Sequence, residues 1–216
     1  PTFNRYYSNR YTSMSRLITN AVRHTGASAD AFTLDSGGGI TFEKPPAKGR
    51  QVLEQFYSPC DGSTITTSQG DITLTNVTAA QNLTTSHADI TGSSISYNPP
   101  TGTTQVIYEF QFAAGPGDAL PVMHFKFNVD GTDVTYSRHS TYLNGTEVFN
   151  HFKWGVNIGG STTAATGRLA SWSGAKTLKM MAREYSSAHE GTVHQVFHWD
   201  GSTTGVFHQP CIGITA

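Results

Sequence analysis

The residues best suited to chemistry crowd into "AHEGTVHQVFHW", residues 188–199. His189 and Glu190 followed by His194 bring to mind a zinc-protease helix. That helix needs its histidines four residues apart, so that both imidazoles point the same way. Here the spacing is five, and Gly191-Thr192-Val193 favours a strand. His194 and His198 do have the four-residue spacing, but an extended strand sets them about 13 Å apart, too far for one metal. His208, on the last strand, would approach either of them across a ladder. No His-x-His pair of the kind used by the cupin metal enzymes occurs. The expected role of these histidines is half-buried and hydrogen-bonded, with no metal.

Other catalytic patterns fail on similar grounds. No Gly-x-Ser-x-Gly elbow exists, and "GSTTG" (201–205) has Thr at its centre. "SGGGI" (36–40) lacks the Gly-Lys-Ser/Thr that completes a phosphate loop. Asp130 and Asp133 flank a tight turn, where Asp has a backbone role, so they do not read as a glycosidase pair. Cys60 and Cys211 sit near the first and last strands of the body. They are expected as reduced, buried thiols, a bridge being the lesser alternative. No catalytic residue, metal or cofactor is expected. Trp172 in "LASWSGAK" and Tyr142 before Asn144-Gly145 are candidate glycan contacts, although loop aromatics more often pack loops down.

These residues need a scaffold, and the composition describes one. The 216 residues are 13% charged, 37% apolar and 11% aromatic, with 22 glycines. Ser, Thr, Asn, Gln and Gly supply the polar surface, and the apolar share is enough to fill a core. A formal charge of −1 argues against a general nucleic-acid binder. No apolar run reaches transmembrane length. The first residues contain no apolar signal region, and Pro1 is what removal of an initiator Met would leave. The sequons at Asn76, Asn82 and Asn144 then read as loop polarity.

In "HFKFNVDGTDVTYSR" (124–138) bulky and polar residues alternate on either side of Asp130-Gly131, a pair that supplies the positive φ angles of a hairpin turn. Strand signals of this kind repeat from residue 51 to the end, divided by Asn98-Pro99-Pro100, Gly115-Pro116-Gly117, Asn144-Gly145, Gly159-Gly160 and Asp200-Gly201. The expected fold is all-β, an antiparallel jelly-roll sandwich of about 8–10 strands. Its core should hold Val106, Tyr108, Phe110 and Phe112; Phe152, Trp154, Val156 and Ile158; Val193, Phe197 and Trp199; and Phe207 and Ile212. Some strands carry a second, half-apolar side. Phe149, Met181, Tyr185, Val196 and His198 are therefore a candidate trimer interface.

Residues 1–50 read differently from 51–216. They hold seven Lys/Arg and three Asp/Glu, whereas the remainder holds seven and twelve, so a basic arm precedes an acidic body. "SMSRLITNAVRHTG" (13–26) predicts at most one short helix, and "DSGGGITFEKPPAKGR" (35–50) a Gly/Pro linker. Phe3, Arg5, Tyr6, Tyr7, Arg10, Tyr11, Arg16 and Arg23 make the arm a candidate anchor, because Arg and Tyr are strong interface residues.

"DITGSSISYNPPTGTTQVIYEFQF", "FKWGVNIGG", "GRLASWSGAKTLKMMAREYSS" and "HWDGSTTGVFHQPCIGITA", together with the hairpin above, resemble a domain of virion structural proteins from marine tailed phages, cyanophages included. The resemblance covers roughly residues 50–216. It implies a trimeric jelly roll, similar in form to tumour-necrosis-factor and C1q heads, used as fibre head or capsid decoration (cement), and it supplies no catalytic residue. The expected function is a non-enzymatic virion structural protein in the assembled particle. Its expected partners are itself, as a homotrimer, and a major capsid or tail protein gripped by the arm, with no membrane and no specific nucleic acid. The alternative is a receptor-binding tail-fibre or adhesin head that recognises host surface glycans.

Overall fold

The structure is a computed structural model of the chain, and it describes residues 21–22, 32–34, 36–37, 39–42, 51–116, 120–143, 147–197, 199, 201 and 203–216. Two compact units are present, Pro1–Gln51 and Val52–Ala216.

In the first unit, β1 (Ala21–Val22), β2 (Phe32–Leu34) and β3 (Ile40–Phe42) form one antiparallel sheet in that order. Ala21 pairs with Thr33 and Val22 with Phe32, so the helix expected over 13–26 is overturned at these two residues. The rest of that segment lies outside the described residues. A helix of that length has too little apolar stripe to persist alone, whereas β-branched Val22, Thr33, Ile40 and Thr41 suit strands. The glycine run taken for a linker is the return of a hairpin, since Leu34 pairs with Ile40 and Phe32 with Phe42. Phe3, Arg5, Tyr6, Tyr7, Arg10, Tyr11, Arg16 and Arg23 lie outside the described residues.

The second unit runs β4 (Gln55–Pro59), β5 (Thr64–Thr67), β6 (Gly70–Thr73), β7 (Gln81–Asn82), β8 (Ala88–Asp89), β9 (Ile95–Tyr97), β10 (Gln105–Pro116), β11 (Val122–Val129) and β12 (Thr132–Tyr142). It continues with β13 (Val148–Asn157), a 3-10 turn at Ala164–Thr166, β14 (Lys176–Glu184), β15 (Gly191–Val193), β16 (Gln195–Val196), β17 (Val206–Phe207) and β18 (Cys211–Thr215). The larger sheet is ordered β4-β18-β10-β15-β7, with β13 on the other edge of β10. The smaller is β12-β11-β14-β8, with β9 also on β14. All these pairings are antiparallel. With β8 and β9 taken as one interrupted strand, the larger sheet joins the first, eighth, third and sixth main segments. The smaller joins the second, seventh, fourth and fifth. That order is a jelly roll.

Alternation builds the core. Val106, Tyr108, Phe110 and Phe112 of β10 are wholly buried against Phe125 and Phe127 of β11 and Leu178 and Met180 of β14. The rings mesh at centroid distances of 4.9 Å (Tyr108–Phe127), 5.2 Å (Phe110–Phe112) and 5.5 Å (Phe112–Phe125). Polar groups inside find partners. Tyr108 donates its hydroxyl to the Ser93 carbonyl at 2.6 Å, and Ser93 Oγ donates to the Met180 carbonyl at 3.0 Å. Between Phe125 and Phe127 the β11–β12 register slips around a bulge. The Phe127 N–H, deprived of its ladder partner, donates to Ser137 Oγ at 2.8 Å. The turn at Asp130 and Gly131 has φ of 52° and 84°, as the hairpin demands.

Three core expectations are corrected. Trp199 is 79% exposed, Phe207 is exposed as well, and Phe197 is half-buried outside the core cluster. The strand expected to carry Val193 through Trp199 breaks at His194, which has φ of 64°. Alternation is lost there, and Gln195–Val196 leaves to pair with Val206–Phe207 in a separate hairpin. His194 holds the corner. Its N–H donates to Ala113 O at 2.8 Å, its own carbonyl accepts from His208 N at 2.9 Å, and its Nε2 lies 2.9 Å from the Thr91 carbonyl. The Nε2–H tautomer makes that last bond, which leaves Nδ1 enclosed with no partner among the described residues.

Burial pushes the His194 pKa down to about 4. The unfolded chain therefore takes up a proton near the ordinary histidine value of about 6.5 while the fold still refuses it. The His194 contribution is fully present above that value and is lost as the pH falls towards 4, by about 3 kcal/mol in all. Urea midpoints should fall over this interval. His194→Asn, which keeps the tolerance for positive φ, should flatten the slope; an unchanged slope would contradict the assignment.

Candidate functional site

The outer face of the larger sheet is built from the residues that alternate with the core. Along β10 these are Ile107, Glu109, Gln111 and Ala113, and opposite them on β13 stand Gly155, Lys153, His151 and Phe149. Across the other edge, Gly213 of β18 pairs with Glu109 on one side and Tyr57 of β4 on the other. A Cβ on Gly213 would lie 2.4 Å from Tyr57 Cδ2. The missing side chain is what lets the Tyr57 ring lie flat across β18. Its hydroxyl donates to Gln111 Oε1 at 2.8 Å, bridging the strand between.

Beside that ring is a cleft of about 320 Å³, lined among others by Tyr57, Glu109, His151 and Gly213. Glu109 accepts from Lys153 at 2.8 Å and faces His151 at 3.1 Å. The Lys153 hydrogen bond, with help from His151, holds its carboxyl below the usual range. Burial, and after it the neighbouring Cys211, pushes the Tyr57 hydroxyl up to about 12. The face thus has Tyr57 lying flat over Gly213, one short ionic ladder, and two aromatic rims, Tyr57 at 48% exposure and Phe149 at 55%. Such a surface offers two aromatic anchors to a protein that covers it, and its charges are already paired with one another.

The five interface candidates do not form one patch. Phe149 is on this face, edge-on to His208 at 5.0 Å. Val196 belongs to the β16–β17 hairpin, beside the same end of β10 where Phe149 stands opposite Ala113. Met181 and Tyr185 lie on the outer side of the smaller sheet, where Met181 pairs with Lys126 and Tyr185 N bonds to Val122 O. His198 lies outside the described residues. Of the glycan candidates, Trp172 packs half-buried against the core with its indole nitrogen shielded from solvent. Tyr142 is 61% exposed on the smaller sheet. Tyr57 and Glu109 went unnoticed because each lies in an ordinary strand pattern; the signal was their phase, opposite to the core residues.

No three His, Cys, Asp or Glu side chains among the described residues converge as metal ligands. Both cysteines are free. Burial pushes Cys60 up to about 12 and Cys211 upward too, which leaves both sulfurs poor nucleophiles at neutral pH. Among the described residues no helix is long and apolar enough to cross a membrane.

No family model matches the chain, and no curated protein does. Solved structures that it resembles include infectious bursal disease virus of the Gx strain, at 9% identity and a TM-score of 0.33, over 82% of this chain and 42% of that one. The Gt strain of the same virus gives 9% and 0.34, over 86% and 46%. The chain thus spans less than half the length of those chains. Likeness this distant carries no argument about function.

Proposed function

We propose that this chain is a non-enzymatic virion structural protein, a jelly roll that associates as a homotrimer through the outer face of its larger sheet and serves as capsid decoration or fibre. The observation that carries the reading is that face. Gly155 adds no side chain to it, Gly213 lets the Tyr57 ring lie flat across β18, Tyr57 and Phe149 supply exposed aromatic anchors, and Glu109 ties down the nearby cations. A closed symmetric assembly buries such a patch on every copy at once. The motif resemblance over residues 50–216 points the same way. The basic residues 1–50, carrying Phe3, Arg5, Tyr6, Tyr7, Arg10, Tyr11, Arg16 and Arg23, then join the body to a capsid or tail protein.

Sedimentation equilibrium should give three times 23.3 kDa. Phe149→Asp should yield monomers with an unchanged β-sheet circular dichroism spectrum, because it replaces an aromatic anchor with a charge that the contact would have to desolvate. A Phe149→Asp trimer, or a monomeric wild type, would overturn the assignment. A chain lacking residues 1–50 should still sediment as a trimer yet no longer join particles, and normal incorporation of that variant would refute the anchoring role.

A further inference from the structure

The outer face of the smaller sheet is a different surface. Register places His124 of β11 between Arg183 of β14 and Ser140 of β12. One step along, Lys126 lies beside Met181, and Arg138 leaves the β12 bulge to stand near it. His87, just before β8, closes the end. These groups line a cleft of about 450 Å³, within the usual range of small-ligand sites.

Its charge is one-sided. Lys126, Arg138 and Arg183 face a single carboxylate, Asp133, which binds Lys126 at 2.6 Å. Arg138 makes no hydrogen bond or ion pair with a described residue, and Arg183 donates only to the Thr85 carbonyl at 3.2 Å. The next carboxylate on this face, Asp89, is already paired with Lys179 at 2.8 Å. Neither guanidinium makes an ion pair, although Arg138 lies near enough to Asp133 to help hold its carboxyl below the usual range. His124 Nδ1 bonds to Ser140 Oγ at 2.7 Å, while its Nε2 is shielded and has no partner among the described residues. Guanidiniums without an ion pair on the wall of a cleft are what an incoming oxyanion would pair with. Aromatic rings flank the cleft. Tyr142 pairs across from Val122, one pleat from His124, and Tyr185 meets the His124 ring edge-on at 6.0 Å. Both are more than half exposed.

We infer that this cleft binds an acidic sugar unit of a polysaccharide, its sulfate or carboxylate held by Arg138 and Arg183 beside the His124 ring and its sugar ring bordered by Tyr142 and Tyr185. The inference narrows the sugar contact expected at Tyr142 to an anionic one, and it is independent of the trimer. The groups facing His124 are Lys126 on its own strand, Arg138 and Asp133 on β12, Arg183 and Lys179 on β14, His87 and Asp89 beside β8, and Tyr185. His139 stacks on Phe125 at the rim. Burial first, then the surrounding cations, hold His87 and His124 below the ordinary histidine value, so they are uncharged in the free protein at neutral pH. A bound anion favours their charged forms, so binding takes up protons and tightens as the pH falls.

The test is calorimetry on the full chain with dextran sulfate and polygalacturonate oligomers, alongside neutral dextran and free sodium sulfate. At least one of the acidic saccharides should bind, more tightly at about pH 5.5 than at about pH 7.5. Arg138→Ala, at an exposed position that leaves the fold alone, and Arg183→Gln should each weaken it by about tenfold or more. Lys176→Gln, at the other end of β14 where Lys176 pairs with Asp130 at 3.0 Å, should change nothing. No binding of either acidic saccharide would overturn the inference. So would equal losses in Arg138→Ala and Lys176→Gln, which would mark diffuse attraction, or free sulfate binding as tightly as the sulfated oligomer.

Discussion

Strand β10 carries twelve residues through the middle of the larger sheet, and its four large inward side chains are completely buried. A strand in that position must have both edges paired, because each unsatisfied buried amide costs roughly 1–3 kcal/mol. β13 covers one edge over nearly its full length, but the other is shared: β18 pairs from Ile107 to Gln111, and β15 from Ala114 to Pro116. One edge filled by two strands leaves a corner at Phe112 and Ala113, and His194 closes it. The left-handed turn there, with its bond to Ala113, follows from the need to satisfy β10. The departing hairpin with its exposed Phe207 follows from the turn.

The same strand fixes what the two outer faces become. Inward volume is taken by Tyr and Phe, so the alternate residues of β10 and its neighbours can be small or short without opening the core. Gly213 is therefore tolerated on the larger sheet, where the Tyr57 ring lies flat across it. On the smaller sheet the bulge between Phe125 and Phe127 sets Arg138 beside Lys126, and the result is a charged hollow. A face with aromatic rims suits a protein surface, while a hollow with guanidiniums that make no ion pair suits a small anion. The two sheets thus present chemically different outer surfaces.

Much of this was legible in the sequence. Asp130-Gly131 announced the β11–β12 hairpin because few residue pairs tolerate two positive φ angles in a row, and Val106 to Phe112 announced β10 by strict alternation. The break at His194 was not, since Gly-Thr-Val-His-Gln-Val-Phe-His-Trp keeps its alternation through the corner and the cause lies at Thr91 and Ala113, distant in sequence. The short sheet of the first fifty residues was hidden by a stripe that fits a helix equally well. His87, His124, Arg138 and Arg183 lie on four different segments, and only sheet register brings them together. The half-apolar strand faces were visible as such, but which of the two sheets each belonged to was not, and that is why Phe149 and Met181 were grouped.

Hydroxyl-radical footprinting of the native full-length protein tests the central claim most directly. In a single chain Tyr57 and Phe149 are about half exposed, and Tyr136 and Tyr142 somewhat more so. If copies pack on the larger sheet, Tyr57 and Phe149 should be protected while Tyr136 and Tyr142 label freely. Labelling of all four in proportion to their exposure would contradict it.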